Sequence, residues 1–162
     1  YKCRIRTPWY KVPSVSASPI SMLKRSNGMP RLILNELNAY TTDTAYRIIP
    51  TDRTDANSLV ICFLNTLTAL SAELEGRHYG GGVLELVPSE IDRLKVPYIT
   101  IPNGNIYELN TFVKHHSIEE ILQQQDSFIF SALGVNKADV KTLQNALIRI
   151  KDRRQRITES EN

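Results

Sequence analysis

The chain is poor in cysteine. Only Cys3 and Cys62 occur in 162 residues, which excludes a disulfide framework and a four-ligand zinc pattern. Two cysteines fit a reducing, cytoplasmic, bacterial-type setting. The longest uncharged run, between Asp55 and Glu73, still holds Asn57, Ser58, Asn65, Thr66, Thr68 and Ser71. That run is too polar for a membrane span and reads as a buried helix, so no membrane partner is expected. The N-terminal stretch is basic and polar and lacks the apolar centre of a signal peptide.

Catalytic signatures are equally sparse. The sequence has no G-x-x-x-x-G-K-[ST] phosphate loop and no G-x-S-x-G elbow, and neither cysteine has a histidine nearby. The three histidines are His78, His115 and His116. The adjacent pair falls on different helix faces and makes a poor chelate, so no metal is expected. Carboxylates are scattered, and Glu85 and Glu90 flank a strand end without an evident partner. These absences leave a module that binds rather than one that catalyses.

The composition itself is ordinary for a globular chain. Hydrophobic residues make up 41% and charged residues 23%, enough to bury a core without disulfides or metals. Disorder is expected only in the last few residues. The chain starts at Tyr1, already within a charged and aromatic stretch, and reads as a piece of a longer protein or as a chain whose ordered part begins late.

Charge is unevenly spread. Residues 1–53 carry nine basic residues against three acidic, a balance of +6; the remainder carries 11 against 14, a balance of −3. A basic half beside a mildly acidic half points to a polyanion on one side and a protein neighbour on the other. A solvated surface with chance asymmetry is the plainer reading.

The pattern predicts an α+β layout. Arg4-Ile5-Arg6 and Trp9 to Val12 read as extended, and Ile20–Lys24, Leu32–Leu34 and Ala45–Ile49 as strands, with a turn at Asn27-Gly28. Asp55 caps one helix to about Gly76, with Leu59, Phe63, Leu67, Leu70 and Leu74 on its buried stripe. Strands are expected at Val83–Val87 and Val96–Ile101, around a short helix from Pro88 capped by Ser89 and Asp92. From Asn105 the chain turns helical. Ser117 with Glu120 forms a capping box, Asp126 caps a helix ending at Gly134, and Asn136 caps a last helix. Val140, Leu143, Leu147 and Ile150 follow 3-4-3 spacing on that helix, and Lys151, Arg153, Arg154 and Arg156 suit its C-terminus. The expected division is a β-rich, mostly antiparallel domain with a buried central helix over residues 1–102, then a helical extension packed on it over 103–162.

Two clusters invite a ligand. Gly80-Gly81-Gly82 costs chain entropy, so the backbone there turns sharply or approaches something closely. The preceding Arg77, His78 and Tyr79 supply a cation, a donor and an aromatic. Such a loop suits a sugar–phosphate backbone; a tight connection without ligand explains it as well. Trp9 and Tyr10, between Arg6 and Lys11, can stack on bases, although alternation sends one of them inward. Trp9 is the one expected in the core.

Three segments together resemble the C-terminal target-recognition region of N6-adenine DNA methyltransferases of restriction–modification systems. They are Arg6-Thr7-Pro8-Trp9-Tyr10-Lys11-Val12-Pro13; Pro30-Arg31-Leu32-Ile33-Leu34-Asn35 with the following Thr42–Ile48 strand; and Tyr79-Gly80-Gly81-Gly82-Val83-Leu84-Glu85-Leu86-Val87-Pro88-Ser89-Glu90 with Leu94, Val96 and Pro97. Leu64-Asn65-Thr66 stands where the family usually has leucine-asparagine-serine. The likeness covers roughly residues 1–102. The family's Asn/Asp-Pro-Pro-aromatic tetrapeptide is missing, since no two prolines are adjacent. Its glycine-bearing cofactor motif is missing too, because the triplet here follows a helix pattern and precedes a strand pattern.

The resemblance implies a module that reads duplex DNA while an N-terminal catalytic domain of the same polypeptide flips and methylates adenine. S-adenosylmethionine would serve that domain, and no cofactor is expected in this chain. Lys2, Arg4, Arg6, Lys11, Lys24 and Arg25 are then candidates for phosphates. Arg47, Arg53, Arg77 and His78 are candidates for base edges. Tyr10, Tyr79 and Gly80, Gly81 and Gly82 complete the expected contact set. For each arginine a surface ion or an internal pair is the alternative. The competing functions are a protein-interaction module, with the last helices forming a homodimer or docking on a partner, and an RNA-binding accessory domain.

Overall fold

A computed structural model describes residues 4–10, 16–102 and 104–159, with the side chains of the last helix described as far as Arg154. Among the described residues, about 47% are helical and 13% strand. Two helices lie between the fourth and fifth strands, every strand precedes residue 86, and the two longest helices follow, an α+β fold.

Two three-stranded antiparallel sheets carry the β part. β1 (Ile20–Leu23) lies between β3 (Leu32–Leu34) and β4 (Ala45–Ile48). β6 (Val83–Glu85) lies between β2 (Arg25–Ser26) and β5 (Arg77–Tyr79). β1 and β2 are one extended stretch that changes sheets at Lys24. Its N–H donates to the Thr44 carbonyl beside the first sheet, and its carbonyl accepts from Leu86 N–H beside the second. The Asn27-Gly28 turn therefore leads between strands of different sheets.

The alternation of β1 sends Ile20 and Met22 inward, both fully buried, against Leu32, Val60, Phe63, Ala72, Leu84 and Leu86. Each such side chain contributes about 1.5–3 kcal/mol by leaving water. The opposite face carries Leu23, Ile33 and Arg47, all exposed.

The expected helix from Asp55 to Gly76 is two helices, α1 (Ala56–Phe63) and α2 (Thr66–Glu75), bent by 75° at their junction. Asp55 caps the first, accepting from Ser58 N–H at 2.7 Å. Asn65 makes the break. Fully buried, it accepts from Thr68 N–H at 2.9 Å, and its amide donates to the Cys62 carbonyl at 2.6 Å and to Thr68 Oγ1 at 2.8 Å. An asparagine that satisfies both sides of a break competes with continued helix. The break also rotates the apolar stripe, which leaves Leu74 65% exposed. No single described helix is long and apolar enough to cross a membrane.

The stretch Val96–Ile101 is not a strand. Its neighbourhood is extended, but its partners are small polar side chains of α1 and α2. Ser71 Oγ accepts from Lys95 N–H, Thr68 Oγ1 donates to the Lys95 carbonyl, Cys62 Sγ lies 3.5 Å from Ile99 N, and Ser58 Oγ accepts from Ile101 N–H. α3 (Pro88–Ile91) follows β6. Its cap comes from Glu90, whose carboxylate accepts from Val87 N–H at 2.8 Å, rather than from Ser89 and Asp92.

α4 (Ile106–His115), α5 (Ile118–Ala132) and α6 (Lys137–Glu159) complete the chain. Ser117 with Glu120, and Asn136 with Asp139, cap α5 and α6 as expected. Asp126 does not begin a helix: it lies inside α5. Leu143, Leu147 and Ile150 of α6 pack on Ala69, Leu70 and Leu122, so this stripe closes an intramolecular core.

Candidate functional site

The sequence-predicted cations divide between distinct places. Lys24, Arg25, Arg77, His78, Tyr79 and the glycine triplet gather on and around the second sheet. Arg47 lies on the outer face of the first sheet, opposite Ser21, where its Nη1 donates to Ser16 O and Oγ. Arg53 is exposed in the turn before α1. Arg4, Arg6 and Tyr10 belong to an N-terminal segment of turns and bends, not strands. Trp9 is 69% exposed rather than buried, and its ring meets Tyr10 edge-on at 5.8 Å. Without regular strand alternation, nothing sends one aromatic inward. Lys2 and Lys11 lie outside the described residues.

The second sheet sets its side chains by register. Arg25 faces Glu85, and Glu85 faces Arg77. Directly opposed residues project from the same face, so the three form one row. The next row, Ser26, Leu84 and His78, turns to the other face, where Leu84 is buried. Tyr79 returns to the outer face beside Arg77 by alternation, and its ring is 49% exposed.

Glu85 and Glu90 do have partners. Arg25 Nε donates to Glu85 at 3.0 Å and Arg77 Nε to Glu90 at 2.8 Å. The exposures are lopsided. The arginine side chains are 68% and 56% exposed, against 15% and 8% for their carboxylates. A buried Glu90 and a partly buried Glu85 thus hold the exposed guanidiniums. Val87 N–H and then Arg77 hold the Glu90 carboxyl below the ordinary carboxylate range, so it is charged at neutral pH.

Tyr46 of β4 extends the cluster, and sequence reasoning missed it. Lys24 Nζ stands 5.1 Å from its ring centre, a cation–π contact. Burial and the nearby Glu85 and Glu90 push its phenol up, and Arg77 pulls it back. The phenol therefore stays protonated as a donor at neutral pH. Only the pairing of β1 with β4 brings Tyr46 to Lys24, and no local spacing carries that information.

The triplet joins two strands and not a helix to a strand. A tight turn over Gly80–Gly82 links β5 to β6. Gly81 and Gly82 adopt φ of 75° and 71°, the left-handed region where glycine is favoured. This turn leads from strand to strand and presents no helix N-terminus. His78 on the inner side of β5 approaches Glu73, its Nε2 lying 3.1 Å from the backbone carbonyl and 3.3 Å from the carboxylate.

Chemically, the outer face of the second sheet offers Arg25 and Arg77 against Glu85 and Glu90, with Lys24 at its border beside Tyr46. The guanidiniums are exposed, so a dense row of phosphates can share them while the covered carboxylates keep their partners. Each arginine is held through Nε, and Arg77 also has the Tyr79 hydroxyl as a partner.

Comparison of the chain with protein families gives a match over residues 1–130 to the family described as Type II methyltransferase M.Eco57I, C-terminal domain. Comparisons with curated proteins and with solved structures give no match. The matched span contains both sheets, the row of arginines and the glycine turn. The chain belongs to the family of C-terminal domains of Type II methyltransferases represented by M.Eco57I.

Proposed function

We propose that this chain is the DNA target-recognition module of an adenine-N6 methyltransferase of a bacterial restriction–modification system. Methyl transfer from S-adenosylmethionine takes place, on this reading, in an N-terminal catalytic domain of the same polypeptide. The second sheet lies against duplex DNA. Lys24, Arg25 and Arg77 meet phosphates and set the register, while Tyr79 and the glycine turn bring a flat ring and close backbone to a groove. The observation that carries the reading is the row of exposed arginines fixed over buried carboxylates, in a chain of this family.

Arg47, Arg53, Arg4, Arg6 and Tyr10 lie on other elements and are secondary candidates. Base-edge contacts by Arg77 require its pairing with Glu90 to open or be shared. His78 is turned toward Glu73 and is the weaker candidate for a base.

Titration of the chain with random-sequence duplex DNA over a salt series tests this reading. The expected result is micromolar or weaker affinity that falls steeply with added salt. Absence of binding at about 50 mM salt, with concentration-dependent self-association, would favour the interaction-module reading instead.

A further inference from the structure

Arg154 is the most deeply buried cation of the described residues, at 3% exposure. In sequence it is one of the basic residues that suit the C-terminus of α6. Its position is instead the meeting point of four segments. Nε donates to Glu73 Oε2 at 2.9 Å and Nη2 to Glu73 Oε1 at 2.7 Å, a two-pronged pair with α2. Nη1 donates to the Asn27 carbonyl at 3.2 Å and to the Gly82 carbonyl.

Asn27 directly follows β2, and Gly82 directly precedes β6. With Ser26 opposite Leu84, both carbonyls stand at the same end of the β2–β6 ladder, where the strands run out of mutual partners. A guanidinium there takes up carbonyls that the ladder leaves over. It also fixes the start of β6 just past two residues of positive φ, a turn that glycine alone leaves loose.

We propose that Arg154 is the positioning residue of the DNA-contacting hairpin: through it α6 holds the glycine turn and the row of arginines in the arrangement that grips a duplex. The proposal rests on the duplex-binding reading above. It adds that the helical tail, which lies beyond the matched residues 1–130, controls recognition without touching DNA. Lysine cannot replace the arginine, because one ammonium does not span a carboxylate fork and two carbonyls in a plane.

The test compares the full chain with three variants: Arg154→Ala, Arg154→Lys, and Arg154→Met combined with Glu73→Gln. The last removes both charges and so avoids a buried carboxylate without its main partner. Each is measured for melting temperature, backbone amide exchange and affinity for random duplex DNA, below its melting transition. The expected result is a melting temperature for the double variant close to wild type, with amide exchange faster only over residues 25–28 and 77–85. Its duplex affinity falls about tenfold or more. Arg154→Lys is expected to recover thermal stability without recovering affinity.

Wild-type affinity in a folded double variant overturns the proposal and leaves the duplex-binding reading standing. Exchange that speeds up evenly throughout the chain also overturns it, since Arg154 would then serve general stability. A wild-type chain without duplex affinity overturns the duplex-binding reading and the proposal together.

Discussion

Asp126, in the middle of α5, caps a different helix. Its carboxylate accepts from Thr66 N–H at 2.8 Å and Thr66 Oγ1 at 2.7 Å, at the first residue of α2. Gln144 of α6 donates to the same carboxylate at 2.8 Å. One buried acid thus joins α2, α5 and α6, and satisfies one of the amides that every helix start leaves open.

Replacing Asp126 by Ala leaves that amide, a hydroxyl and a carboxamide without their acceptor in a buried place. The expected loss is about 2–4 kcal/mol. Thr66→Val removes one of the three bonds and is expected to lose about 1–2 kcal/mol. Urea unfolding followed by far-ultraviolet circular dichroism measures both. An Asp126→Ala midpoint equal to wild type would show that the three donors find other partners.

Gly76 and Gly80 make a second contrast. A Cβ on Gly76 would lie 2.6 Å from Leu84 Cδ1 and 2.8 Å from the Ala72 carbonyl oxygen, whereas one on Gly80 meets nothing within 4 Å. Leu84 is fully packed in the core. Gly76→Ala is therefore expected to lose about 1–3 kcal/mol. Gly80→Ala, at a residue without positive φ, is expected to change stability by less than about 0.5 kcal/mol. Thermal melts of the two variants decide this, and equal melting temperatures would contradict the packing around Gly76.

Acid sensitivity follows from Glu90 and Asp55. Both carboxyls are held below their ordinary values, 4.5 and 3.8, chiefly by backbone N–H groups of Val87 and Ser58. A group depressed on folding contributes stability that is complete above its unfolded value. That contribution disappears as pH falls through the lower folded value. Stability should therefore be flat from neutral pH to about 5 and decline below the ordinary carboxylate range. Glu90→Gln should lower stability at pH 7 and shallow that decline. An unchanged acid limb in Glu90→Gln would show that Glu90 does not contribute to it.

Local order was legible in the sequence and tertiary partnership was not. The caps at Asp55, Ser117 and Asn136 depend on neighbours three residues away, and they stand where spacing puts them. Asp126 has the chemistry of a capping residue, but the helix it caps starts 60 residues back in the chain. Val96–Ile101 has strand-like composition, yet Ser58, Cys62, Thr68 and Ser71 on α1 and α2 take the place of a neighbouring strand. Small polar residues inside an apolar helix were the signal for that. In the candidate site, Arg77, Tyr79 and the glycines were legible as a local run. Tyr46, Glu73 and Arg154 were not, because strand register and the fold of α6 alone bring them there.

The central claim is that exposed arginines anchored by buried carboxylates grip a phosphate backbone. Its most direct test is the slope of log affinity against log salt for random duplex DNA, in wild type and in Arg25→Ala/Arg77→Ala. Each lost phosphate contact flattens the slope by about 0.9. The account predicts a slope shallower by about 2 in the double variant, measured below its melting transition. An unchanged slope in a folded double variant would contradict it.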